Sequence, residues 1–576
     1  MTGRFVMQPW ENRPLKVFML RQALDEDSPW KQRLGNLYAF PGGHQRHWRF
    51  LDAQKIKQVQ IHLSWTDAAS NAPEIRISKP TGIQELDMSS ERLCKLPKPL
   101  VDKFGQLNGE TWQGKSEDVS DLEQDGTTDY TAFNQRAVAK GLSTYGGLLD
   151  GPQLKATGKF RTEKLDDKWW LIDPDGHLFW SIGVTEAGIG SLTRIEDREE
   201  FFPKLRPQKD SDVWKQDRKT LSYSFYNSNL KYKYGKDWLD HHYAVTEGRM
   251  RAWGINTIGA WSMEPGTVFK HKKPTVPYTV IVHTNLNGGL GKLHHMVDPF
   301  SEQFEKSLDT VLKRNAKLYA GDPNNIGIFV NNELDWEGGL RLPLEVLGLY
   351  NYVPARRAMI TMLNEHYGTI EQLNQAWGTN FEDFETVRQQ EGLMQQKAFV
   401  ADMETYHILF TEAYFSKSAQ AVQKHYPGHL FLGSRFNKWS TEVTRAASKY
   451  CDVISFNLYR NSVADFSAVT DVDRPYLISE FHFGSGSHGV WGRGLTPCAD
   501  ADNQAELYRA YVGDAIKHPN FVGAHWFTWS DQPVTGRYDG ENFRVGLVNI
   551  VDRPYPALID SISNISQSIY QQRLTQ

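Results

Sequence analysis

Between residues 178 and 527 the chain repeats one pattern eight times: a short apolar run, then a longer stretch with helical spacing. The runs are Leu178–Gly183, Thr257–Ala260, Thr279–His283, Ile326–Val330, Leu430–Gly433, Val453–Phe456, Tyr476–Ser479 and Val522–Phe527. Strands that are apolar almost without interruption are buried on both faces, the condition of a parallel sheet. Eight of them with intervening helices predict an α/β chain built on a (β/α)₈ TIM barrel.

Several helix faces are legible. Phe304, Leu308, Val311 and Leu318 mark one, Ala505, Tyr508, Val512 and Ala515 another, and Leu558, Ile562, Ile565 and Ile569 the last. Such stripes are core packing. Residues 1–150 follow a different rule. Gln58–Trp65 and Glu74–Ser78 alternate apolar and polar residues, with Pro80 and Gly82 beyond them. This predicts an N-terminal β-sandwich domain. The polar run Asn108–Asp129 reads as a connecting segment, and 151–576 as the barrel.

The same chemistry excludes several functions. A net charge of -4 offers no basic surface for nucleic acid or an anionic membrane. No run of about 18 apolar residues exists to span a bilayer. Cys94, Cys451 and Cys498 match no zinc or redox spacing. His294 and His295 with Asp298 suggest a metal cluster, but adjacent side chains diverge on a regular backbone, so no metal is expected. Gly484–Gly489 lacks the strand–helix setting of a phosphate loop. No cofactor is expected. Residues 1–20 do not read as a signal peptide. The compartment stays open: secreted or periplasmic if a leader was removed, cytoplasmic otherwise. Oligomeric state is not legible. The 18 Trp residues suit a sugar partner, because pyranose C–H faces stack on indole rings.

In a barrel enzyme, chemistry sits at the carboxyl ends of the strands. The fourth run ends Asn331-Asn332-Glu333-Leu334-Asp335-Trp336. A carboxyl there, beside amides and an indole, suits a raised pKa and hence a general acid. The seventh ends Ser479-Glu480-Phe481-His482. Two carboxyl groups flanking one bond are what glycoside hydrolysis needs. Around them, Tyr459 is expected to donate to Glu480 and Arg435 to offer it an opposite charge. Asn457 stands at the sixth strand end. Trp526, Trp529 and Asp531 close the eighth, with one of these indoles expected to floor the site. Two connections, Glu186–Gly248 and Asp335–Gly428, are much longer than usual and are expected to wall a deep cleft.

With these residues in view, the chain resembles the clan A glycoside hydrolases, and more narrowly the family 50 β-agarases. The resemblance lies in Asp173–Val184, Val330–Trp336, Ile478–Phe483, Trp526–Pro533 and Gly546–Tyr555. Tyr367–Thr379 is similar to the family 42 β-galactosidases. The resemblance implies a retaining hydrolase of β-galactosidic bonds in agarose or its oligosaccharides, with a carbohydrate-binding-module-like N-terminal domain. It makes Glu333 the acid/base, Glu480 the nucleophile and Asn332 the partner of the sugar 2-hydroxyl. Trp336, Arg435, Asn457, Tyr459, His482, Trp526, Trp529 and Asp531 complete the expected substrate site. Long loops suggest exo action. A β-galactosidase, a hydrolase of another marine galactan such as carrageenan, and a non-catalytic carbohydrate-binding protein are the alternatives.

Overall fold

The computed structural model describes residues 37–40, 43–44, 97–134, 138–217, 220–263, 269, 272–284, 290–291, 293, 295–336, 339–469 and 471–575. The expected sandwich strands around residues 58–65 and 74–78, together with Cys94 and His294, lie outside them.

Each of the eight anticipated runs contributes a strand to one sheet: β1 (Ser181–Val184), β2 (Thr257–Ile258), β3 (Tyr278–Val282), β4 (Asn325–Val330), β5 (Leu430–Phe431), β6 (Ile454–Asn457), β7 (Tyr476–Phe481) and β8 (Phe521–Trp526); the first run is split, its Leu178–Phe179 half joining a separate antiparallel sheet with Arg161–Leu165 and Lys168–Ile172. Every pairing is parallel, in the order β5-β4-β3-β2-β1-β8-β7-β6. The sheet curls until its ends meet. Phe436, just past β5, bridges Phe456 of β6, and Asn457 N–H donates to the Phe436 carbonyl at 2.8 Å. Consecutive strands are neighbours along the curled sheet, and their carboxyl ends share one rim.

Residues inside and outside the curl alternate, as strand pleating requires. On β7, Leu477 joins an inner cluster with Phe329, Leu432, Val453 and Val522, whereas Tyr476 and Ile478 join the outer one. At the crowded inner wall, a Cβ on Gly183 would lie 2.3 Å from the His525 ring, so only glycine fits beside that histidine.

The helices α1 (Val119–Phe133), α2 (Phe225–Tyr234), α3 (Trp238–Trp253), α4 (Glu302–Tyr319), α5 (Lys397–His425), α6 (Thr441–Ser448), α7 (Ala501–Lys517) and α8 (Pro556–Thr575) carry the outer layer. The anticipated faces of α7 and α8 are buried. On α4 the buried face is Phe304, Leu308, Leu312 and Tyr319, while Leu318 is exposed. A one-residue offset rotates a helical side chain by about 100°, which is why Leu318 and Tyr319 part company.

The polar run 108–129 is more than a connection. Asp118 and Asp121 make a reciprocal cap that starts α1. Leu122 is fully buried, and a Cβ on Gly126 would stand 2.0 Å from the Lys233 carbonyl of α2. Asp129 reaches Lys233 at 2.5 Å and Arg249 at 2.7 Å, and both of these pair with the buried Asp552 at 2.9 Å. Helix α1 is thus locked onto the main body. Among the described residues, no helix is long and apolar enough to cross a membrane.

Candidate active site

Five non-glycine residues just past the strand ends adopt left-handed backbone: Glu186 after β1, Trp261 after β2, Asn331 and Glu333 after β4, and Arg435 after β5. Each such residue costs on the order of 1–3 kcal/mol and persists only where its surroundings enforce it. Their gathering at one rim marks that rim as the functional face.

The enforcement is visible. Asn331 N–H donates to the Val282 carbonyl of β3 at 2.8 Å, and Glu333 N–H to the Ser434 carbonyl at 3.2 Å. The Asn331 amide oxygen takes the Thr284 N–H at 2.8 Å, and its Nδ2 donates to the Tyr414 hydroxyl at 3.1 Å. Pinned between β3 and β5, the turn presents Glu333 to the mouth.

Glu333 is half-buried. Asn457 Nδ2 donates to its Oε1 at 2.6 Å and Asn437 Nδ2 to its Oε2 at 3.1 Å. Burial first, and then the charge of Glu480, push this carboxyl up to about 7. Both causes disfavour the ionised form.

Glu480 is buried and differently furnished. Arg435 Nη2 pairs with its Oε1, Trp261 Nε1 approaches the same oxygen at 3.4 Å, and the Tyr459 hydroxyl donates to Oε2 at 2.5 Å. Three donors aimed at one carboxylate fix its position and answer its charge. The phenol itself is pushed well above its usual range, by burial first and then by the charges of Glu480 and Glu333, so it stays a donor.

Asn457 links the two halves. Besides Glu333, its Nδ2 approaches Asn332 Oδ1 at 3.4 Å, and its Oδ1 accepts from Ser479 at 2.7 Å. The structure therefore gathers Glu333, Glu480, Asn332, Arg435, Asn457 and Tyr459 in one constellation.

The other anticipated residues sit elsewhere. Trp526 and Trp529 do not floor the site: both are enclosed, donating to the Val545 carbonyl at 2.7 Å and to the Tyr226 hydroxyl at 2.9 Å. Trp336 is likewise core, stacked on Phe415 at 5.5 Å. The indole beside the carboxyl pair is Trp261, half-exposed and stacked on His283 at 5.2 Å. Asp531 is buried, holding the Tyr555 hydroxyl at 2.5 Å and the Gly546 N–H at 2.7 Å, so it ties down the tail. His482 exchanges bonds with the Phe527 carbonyl at 3.1 Å and the Leu495 N–H at 2.8 Å, and burial drives its pKa down to about 3. It supports Tyr459, whose ring lies 4.7 Å away.

Sequence reading missed Trp261 and Asn437. Trp261 directly follows the second apolar run, and Asn437 lies two residues past Arg435. Both positions are strand ends, the one signal that would have found them.

The family model described as the β-galactosidase family, glycoside hydrolase family 42, matches residues 283–483. β-Agarase B of Vibrio sp. (strain JT0107) is 32% identical, over 91% of this chain and 59% of its own length. β-Agarase A of the same strain is 28% identical, over 82% and 52%. The chain thus spans little more than half the length of these curated relatives. Among solved structures, PfGH50B superposes with a TM-score of 0.76 at 29% identity, covering 83% of this chain and 75% of that one. An exo-β-agarase gives 0.75 at 28%, covering 83% and 74%. The resemblance read from the sequence therefore stands: this chain is similar to the family 50 β-agarases, and residues 283–483 match the model of the family 42 β-galactosidases.

Proposed function

We propose that this chain is a retaining glycoside hydrolase that cleaves β-galactosidic bonds in agarose or agar oligosaccharides. The observation that carries this reading is the contrast between its two carboxyl groups. Glu333 is pushed up to about 7, whereas Glu480 is held by Arg435, Tyr459 and Trp261. Two carboxyl groups in unlike surroundings are what glycoside hydrolysis needs, and the retaining course follows from the resemblance to the clan.

Glu480 attacks the anomeric carbon as the bond to the leaving oxygen breaks. Glu333 gives its proton to that oxygen. Water then attacks the glycosyl-enzyme bond, Glu333 takes a proton from the water, and Glu480 leaves. Two inversions restore the starting configuration. Asn332 Oδ1 faces Asn457, which leaves its amide hydrogens for the sugar 2-hydroxyl. In this reading the curled sheet is a closed (β/α)₈ barrel and residues 151–576 are the catalytic unit; the segment around α1, whose Leu100, Val101, Phe104 and Leu122 share the main core, goes with that unit, and a carbohydrate-binding-module-like domain is confined to the part of residues 1–150 before it.

Substrate and mode of action draw on the relatives named β-agarase and exo-β-agarase. The long excursion after β1, with its hairpin Trp214–Asp217 and Thr220–Tyr223, and the helical excursion after β4 rise on the catalytic face and favour exo cleavage. Proton NMR of the reaction with agaro-oligosaccharides tests the reading. A β-anomeric galactose end must appear before mutarotation, with products of one short length. An α-anomer appearing first rules out retention.

The family 42 match over 283–483 favours a second reading, a β-galactosidase. Turnover of an aryl β-galactoside with none of agarose would select it.

A further inference from the structure

The excursion after β4 carries two tyrosines that neither the core nor the reaction above uses. Tyr350 and Tyr352 stand on the turn between the helices Arg341–Leu347 and Pro354–Tyr367, and they are 72% and 73% exposed. Their rings are parallel to within 7°, with centroids 5.6 Å apart.

This exposure is built into the turn. Asn351, between the two, is anchored to the body of the excursion. Its Oδ1 accepts from Arg356 Nε at 2.8 Å and from Arg388 Nη2 at 3.0 Å, and its Nδ2 donates to the Glu385 carbonyl at 3.2 Å. Arg356 is fully buried and also donates to the carbonyls of Leu347 at 2.6 Å and Val387 at 2.8 Å. Val353 N–H closes the turn onto the Tyr350 carbonyl at 3.0 Å. With the middle residue held this way, its two neighbours are presented to solvent, and a pair ordered in advance costs less to bind.

The turn belongs to the rim of the catalytic face. Asp335, two residues past Glu333, donates its N–H to the His295 carbonyl at 2.9 Å. The same connection from β3 to α4 carries Asp298, whose Oδ2 takes the Ala355 N–H at 2.9 Å, and Gly291, where a Cβ would lie 3.0 Å from the Leu349 side chain. The tyrosines therefore share the side of the rim that holds Glu333.

Their surroundings narrow the occupant. No other exposed large hydrophobic side chain lies on this turn or on its two flanking helices, so the pair is not the centre of the broad apolar patch that a protein partner needs. A net charge of -4 gives no basic groove for a nucleic acid strand whose bases would stack here. Open, parallel phenol rings suit a sugar chain: pyranose C–H faces stack on them, and tyrosine offers that area with little conformational freedom to lose. A chain longer than the cleft engages both places at once.

We propose that Tyr350 and Tyr352 form a second sugar-binding platform, outside the catalytic site, which holds one part of a long galactan chain while another part is cleaved. This rests on the galactan-hydrolase reading and adds to it a site that serves the polymer alone.

The test compares full-length Glu333→Gln protein, which permits binding without turnover, with the same protein carrying Tyr350→Ala and Tyr352→Ala. The probes are agarose beads and a short agaro-oligosaccharide. Loss of both rings is expected to weaken retention on the beads about tenfold and to leave calorimetric binding of the short sugar unchanged. With Glu333 in place, the two changes are expected to raise KM for agarose and to leave kcat as it was. Unchanged retention, or an equal loss for beads and short sugar, overturns the platform while the unsubstituted protein still cleaves agaro-oligosaccharides. Sedimentation showing a dimer that the two changes dissolve also overturns it, because a second copy then covers the rings. Unsubstituted protein that cleaves no agaro-oligosaccharide overturns the hydrolase reading and the platform together.

Discussion

Asn457 donates to Glu333 at 2.6 Å while its own oxygen is held by Ser479, the residue before Glu480. One buried amide on β6 thus braces the acid that follows β4 against the strand that carries the second carboxyl. A hydrogen bond to a carboxylate favours its ionised form, so Asn457 opposes the upward push of burial and of Glu480 on Glu333. In Asn457→Ala that restraint is gone. The alkaline limb of kcat/KM is expected to move to higher pH, and an unmoved or lowered limb would show that Asn457 does not tune the acid.

In the proposed reaction Glu333 holds a proton for the first step, so activity is expected to fall as pH rises through about 7. Glu333→Gln cannot donate. It is expected to lose about 10²–10⁴-fold in kcat and to lose that alkaline limb. The same shift bears on stability. A carboxyl raised from 4.5 holds in the folded state a proton that the unfolded chain releases, so its contribution is present below pH 4.5 and lost as pH rises through about 7. Thermal unfolding of the parent is expected to show this decline, and Glu333→Gln a shallower one. Equal slopes would contradict it.

Tyr459→Phe removes one donor from Glu480 and little volume. A hydrogen bond to a charged group is worth about 1.5–3 kcal/mol, so kcat is expected to drop about 10- to 100-fold with the fold intact by circular dichroism. An unchanged kcat would remove the phenol from the machinery.

Leu122 of α1 is fully enclosed in the main core. Leu122→Ala is expected to destabilise the protein by about 2–5 kcal/mol, read as a lower urea midpoint in a single transition. A loss below 1 kcal/mol would mean that α1 rests on the surface.

By itself the sequence determined the strands and the two carboxyl groups. All eight runs were legible because a strand buried on both faces must be apolar throughout, and Glu333 and Glu480 stood out because each interrupts the polarity pattern at the end of such a run. Arg435 and Tyr459 were legible for the same positional reason. What only the tertiary structure decided is which aromatic ring stands beside the carboxyl pair and which carboxyls gather. Trp526 and Trp529 share their composition with Trp261, yet the first two are enclosed and the third stands beside Glu480. The polar run that became α1 was equally opaque, since its burial depends on Lys233, Arg249 and Asp552, more than a hundred residues away. Local pattern sets what an element is, because hydrogen bonding and side-chain spacing act over a few residues. Which surface it meets is set by contacts between residues far apart in the chain, and the curled sheet alone brings those together.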